Sequence, residues 1–94
     1  METKQILVVD DDELVRSGLR INLERDGYRV TTAASGEEAL ALGARAPVDL
    51  ILCDLVMGDL DGMAVMREAR ARWPDVPVIL ITAYGTVEDA VEAM

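Results

Sequence analysis

Three short stretches carry the side chains with chemistry to offer. Asp10, Asp11 and Asp12 follow directly on Ile6-Leu7-Val8-Val9, Asp54 follows Leu50-Ile51-Leu52-Cys53, and Thr82 follows Val78-Ile79-Leu80-Ile81. Each run is aliphatic and β-branched without alternation, as a strand covered on both faces requires, and each ends in an oxygen-bearing side chain. Carboxylates held about 5 Å apart repel by roughly 3 kcal/mol per pair at an effective dielectric near 20. Such a cluster takes up a proton or a divalent cation. Oxygen-only ligands in an open cleft suit Mg2+, which keeps several waters and uses one or two carboxylates together with a phosphate. With a cation offsetting the incoming charge, one carboxylate is able to act as a nucleophile on a phosphoryl group.

For those side chains to meet, the intervening elements must bring the strand ends together. Glu13 to Arg25 predicts a helix with Val15, Leu19 and Leu23 at helical spacing, and Leu14, Gly18 and Ile21 beside them. Asp12 is its expected N-cap and Asp26-Gly27 its end; Tyr28 to Thr32 follows as a strand. Ser35-Gly36-Glu37-Glu38 has the form of a capping box, opening a helix through Ala39, Leu40 and Leu42 that stops before Pro47. A loop containing Gly58 and Asp61-Gly62 leads to a helix from about Met63 to Trp73, closed by Pro74. Thr86 caps a final expected helix with Glu88 and Asp89 in its first turn.

Strand and helix thus alternate four times. Parallel strands need crossover helices, and right-handed crossovers give an open α/β sheet with helices on both faces. Ligands of such sheets bind beyond the carboxyl ends of the strands, where the strand order reverses. A flavodoxin-like order 2-1-3-4 makes the first and third strands neighbours, about 4.8 Å apart. Asp10, Asp11 and Asp54 would then converge in one cleft.

The 94 residues make one domain, residues 1–94, with no linker or repeat. Eighteen acids against nine bases give a net charge of −9, which argues against nucleic-acid binding by this segment. The absence of His removes Ser-His and Cys-His catalytic pairs, imidazole metal sites and a phosphohistidine carrier. A single cysteine, Cys53, leaves no internal disulfide, in keeping with a reducing compartment and a core role. No apolar run approaches the ~18–20 residues that span a bilayer, and the start is unlike a signal peptide, so a cytoplasmic chain is expected. Asp59, Asp61, Gly62 and Glu68 fall in the register of a calcium loop, but Met57 at its first position offers no side-chain oxygen.

Taken together, Ile6 through Asp12, Asp54-Leu55-Val56-Met57 through Asp61-Gly62, and Ile81-Thr82-Ala83 resemble the three signatures of CheY-like response-regulator receiver domains. They match in order and spacing over nearly the whole chain. The resemblance implies that Asp54 is the phosphoacceptor and Asp11 a direct Mg2+ ligand. It further implies that Asp10 holds the metal through water, the Val56 carbonyl supplies a backbone ligand, and Thr82 contacts the phosphoryl oxygen and switches position. The implied donor is the phosphohistidine of a sensor histidine kinase or phosphotransfer protein, with acetyl phosphate as a small substitute. The implied activity is self-catalysed phosphorylation and slow hydrolysis, a switch rather than a metabolic enzyme. A haloacid-dehalogenase-like phosphatase also uses an Asp after a strand, but needs a second Asp where Val56 stands.

Ala83 to Val91 is similar to receivers joined to ATP-dependent transcriptional activators, which implies an output domain downstream. Two features depart from the pattern. Gly58 stands where many receivers have proline, which loosens that loop. The usual fifth strand and helix, with a lysine that pairs with the phosphoryl group, would lie past Met94. The one lysine in the chain, Lys4, is about 20 Å of extended chain from Asp10. A truncated chain is therefore expected, with its fourth strand an exposed edge along which two copies would pair. The alternative is an Mg2+-binding scaffold incompetent for phosphorylation.

Overall fold

The computed structural model describes residues 3–54 and 62–81, and over them strand and helix alternate as the sequence predicts. The elements are β1 (Gln5–Val9), α1 (Glu13–Arg25), β2 (Arg29–Ala33), α2 (Gly36–Arg45), β3 (Leu50–Asp54), α3 (Gly62–Arg72) and β4 (Val78–Ile81). Val56, Thr82, the first five positions of the calcium-like loop (57–61) and the expected fourth helix lie outside the described residues.

All strand pairs are parallel, in the order β2-β1-β3-β4. Val9 pairs with Ala33 on one side and Cys53 on the other, so Asp10 and Asp54 occupy adjacent strand ends. Alternation along each strand sorts the sheet into two faces. Leu7, Val9, Ile51, Cys53 and Leu80 form one core with Ala39 of α2 and Val65, Met66 and Ala69 of α3. Ile6, Val8, Leu52 and Ile79 point to the other face, where α1 packs against β1 and β2. On that face Ile6 and Val8 are buried, while Val15, Leu19 and Leu23 of α1 are only half-buried. Leu14 is 83% exposed, Ile21 58% and Ile79 48%.

Local chemistry fixes the helix ends. Asp12 caps α1 by accepting from the Leu14 and Val15 amides at 2.8 and 3.3 Å. At its other end the Gly27 amide donates to Glu24 O and the Tyr28 amide to Leu23 O, both at 3.1 Å, around a glycine at φ +96°. This is a Schellman closure, and the left-handed residue is the glycine that tolerates it. It also explains why β2 starts at Arg29 rather than at Tyr28: the Tyr28 amide still belongs to the helix. Ser35 Oγ accepts from the Glu38 amide at 3.1 Å, as the capping sequence predicts. In α3 the Trp73 amide still donates to Ala69 O at 2.7 Å. The helix nevertheless ends at Arg72, one residue before the predicted end, because Pro74 disfavours helical backbone at Trp73.

Gly43 lets α2 and α3 meet. A Cβ added there would come within 2.6 Å of the Trp73 ring, whereas one added at Gly18 of α1 meets nothing within 4 Å. Gly43→Ala is expected to cost about 1–3 kcal/mol from overpacking, partly offset by the better helix former. Gly18→Ala is expected to gain up to about 1 kcal/mol. Urea unfolding followed by Trp73 fluorescence measures both, and equal shifts of the same sign would contradict the packing described.

Candidate metal centre

The acid triplet after β1 divides its work among three side chains. The Asp10 amide donates to Ala33 O at 3.1 Å, extending the β1–β2 ladder one residue beyond the strand. Asp10 Oδ1 accepts from the Asp12 amide at 2.8 Å, an Asx turn that swings the chain into α1. The Asp12 carboxylate is occupied in capping, as predicted. Asp11 is left exposed between them. On the neighbouring strand, half-buried Asp54 ends β3, and Cys53 Sγ lies 3.4 Å from the Asp54 carbonyl it donates to.

Asp10, Asp11 and Asp54 each bring one carboxylate oxygen into a group whose members all lie within 4.8 Å of one another. The sequence predicted this convergence, and parallel pairing of β1 with β3 produces it. Asp10 is the buried member, 5% exposed. Desolvation pushes its carboxyl above the ordinary 3.8; the Asp12 amide opposes this, the charges of Asp11 and Asp12 add to it, and Arg16 opposes it. Three converging carboxylates fit a hard divalent cation. Asp10, Asp11 and Asp54 are the residues that would hold it.

The sequence pattern gave no role to Arg16, whose Nη1 donates to the Asp10 carbonyl at 2.7 Å. Its place in the first turn of α1, one turn after the cap, was the available signal.

Comparison with known proteins places the chain in a family. The family description "Response regulator receiver domain" matches residues 6–94. The chain belongs to the response regulator receiver domain family. Among its relatives, the receiver domain is 45% identical over 89 residues to the transcriptional regulatory protein ZraR of Escherichia coli K12, covering 95% of this chain and 20% of ZraR. It is 45% identical over 91 residues to the transcriptional regulatory protein ResD of Bacillus subtilis, covering 97% of this chain and 37% of ResD. It thus spans about a fifth to two-fifths of these relatives.

Solved receiver domains share its fold. The response regulator TrrA of Thermotoga maritima, in complex with Mg2+-BeF, is 36% identical with a TM-score of 0.86, over 97% of this chain and 81% of that one. A structure of histidine kinase ThkA in complex with TrrA matches with the same identity and TM-score, over 97% and 80%. No helix among the described residues of the receiver domain is long and apolar enough to cross a membrane.

Proposed function

We propose that this chain is the phosphoacceptor domain of a two-component response regulator. It takes a phosphoryl group from a sensor histidine kinase or phosphotransfer protein onto Asp54, with Mg2+, and so switches a downstream output. The observation that carries this is the meeting of Asp10, Asp11 and Asp54 oxygens within 4.8 Å at adjacent strand ends.

Asp54 is the nucleophile. One of its carboxylate oxygens attacks phosphorus; the new O–P bond forms as the P–N bond to the donor imidazole breaks, and the imidazole leaves with that electron pair. When bound, Mg2+ supplies positive charge against the phosphoryl oxygens. Asp11 would ligate the metal directly, Asp10 would hold it through water, and the Val56 carbonyl would supply a backbone ligand. Thr82, directly after β4, contacts the phosphoryl oxygen and moves in response. Slow attack of water on phosphorus returns Asp54 to its carboxylate and resets the switch.

The kinase partner is supported by the solved complex of ThkA with TrrA. Exposed Leu14, next to the cap of α1, and Ile21, two turns further along the same helix, offer apolar surface for such a partner. The names of ZraR and ResD support a transcriptional output, and the net charge of −9 argues against DNA contact by these 94 residues.

A second possibility is an Mg2+-binding interaction module without phosphoryl turnover, in which Lys4 gives the carboxylates no counter-charge. Lys4 is the one lysine in these 94 residues, exposed and before β1, at the end of the sheet opposite Asp54. In that case β4, the outermost strand on its side among the described residues, would be the edge along which a second copy pairs.

Incubation with acetyl phosphate and Mg2+, followed by Phos-tag electrophoresis and peptide mapping, separates the two. A hydroxylamine-labile phosphate on the Asp54 peptide is expected. Mg2+ binding with no acyl phosphate would support the second possibility, and neither result would overturn both.

A further inference from the structure

We propose that Arg16 is the positioning residue of this site: its guanidinium, bonded to the Asp10 carbonyl, fixes the peptide that aims Asp11 at Asp54. The proposal rests on the site being a cation site and names the residue that preorganises it.

Arg16 is tied twice to the same turn. Its backbone amide donates to Asp12 O at 3.0 Å, and its Nη1 donates to Asp10 O at 2.7 Å. The second distance lies at the short end for a charge-assisted bond. The Asp10 carbonyl belongs to the Asp10–Asp11 peptide, which is planar and turns as one body. Holding that oxygen therefore sets both ψ of Asp10 and φ of Asp11. Asp10 itself has other anchors, since its amide is held by Ala33 O and its Oδ1 by the Asp12 amide. Asp11 has none of these. It is exposed, and among the described residues its carboxylate takes no hydrogen bond. Its direction is set by the backbone before it, and Arg16 holds that backbone.

Charge and geometry make opposite predictions here. A guanidinium near the carboxylates weakens cation binding by repulsion, so a purely electrostatic Arg16 would, on removal, tighten it. A positioning Arg16 would, on removal, loosen it. Groups that orient metal ligands are typically worth 10–100-fold in affinity.

The test uses the 94-residue chain, with Arg16→Ala and Arg16→Lys, titrated with Mg2+ by calorimetry and with Mn2+ by electron paramagnetic resonance. Arg16→Ala is expected to weaken binding about tenfold, and Arg16→Lys, which keeps a charged donor of similar reach, to restore most of it. Urea melts identify any loss of fold. Amide exchange in the metal-free chain provides the second readout, with faster exchange expected in Arg16→Ala at Asp12, whose amide is held by Asp10 Oδ1. Equal or tighter binding by Arg16→Ala overturns the proposal. Failure of the parent to bind either cation would instead overturn the cation site, and the exchange result would then decide the role of Arg16: an unchanged rate at Asp12 overturns it.

Discussion

Asp54→Asn is expected to abolish acetyl phosphate labelling while leaving the chain folded. An amide oxygen does not form the acyl phosphate, and loss of a nucleophile typically costs on the order of 10⁴-fold or more in rate. The substitution keeps shape and volume at the end of β3, so the pairing of Asp54 with Ile81 has no reason to change. It also removes one of three mutually repelling charges. Unfolding free energy without metal is therefore expected to stay within about 1 kcal/mol of the parent. Phos-tag bands and urea melts read the two effects separately. Undiminished labelling in the variant would move the acceptor to another acid, Asp10 and Asp11 first, since they share the cleft.

The parts of this site differ in how far the sequence exposes them. Strands β1, β3 and β4 are legible because a strand covered on both faces must be a continuous aliphatic run, and few helices of that length look the same. The bounds of α1 follow from Asp12 and Gly27, whose side-chain oxygen and left-handed backbone are local properties. The start of β2 is displaced by one residue because Tyr28 completes a helix closure, which depends on hydrogen bonds rather than on hydropathy. Exposure of Leu14 and Ile21 is not legible either, since it depends on what packs over α1. The convergence of Asp10, Asp11 and Asp54 needs strand order, and spacing alone does not say which strands are neighbours. The rule that ligands sit at the strand ends, together with the family likeness, supplied it. Arg16 and the Gly43–Trp73 contact depend on a rotamer and on a helix crossing, and neither has a one-dimensional trace.

Asp10→Asn is expected to stabilise the metal-free chain at neutral pH, to change little below about pH 3, and to reverse its effect when Mg2+ saturates the site. Burial holds the Asp10 carboxyl above its ordinary 3.8, so the folded chain keeps this proton more tightly than the unfolded one. Stability must then fall as pH rises from the unfolded value through the folded one. Below that window the carboxyl is neutral in both states; above it, the folded state carries a desolvated charge among Asp11, Asp12 and Asp54, relieved in part by Arg16. Asn carries the neutral condition to all pH values, and its Oδ1 can still accept from the Asp12 amide that Asp10 now takes at 2.8 Å. Repulsion of roughly 3 kcal/mol per pair is a ceiling at this spacing, and water screens exposed Asp11, so a gain of about 1 kcal/mol at neutral pH is expected. A cation that binds only the folded chain adds about 2.7 kcal/mol at one hundred times its Kd. The parent, with one more anion in the cleft, gains more from it than the variant. Urea melts at acidic and neutral pH, with chelator or with excess Mg2+, should therefore show the two stabilities crossing. Parallel behaviour under all four conditions would remove Asp10 from the metal site.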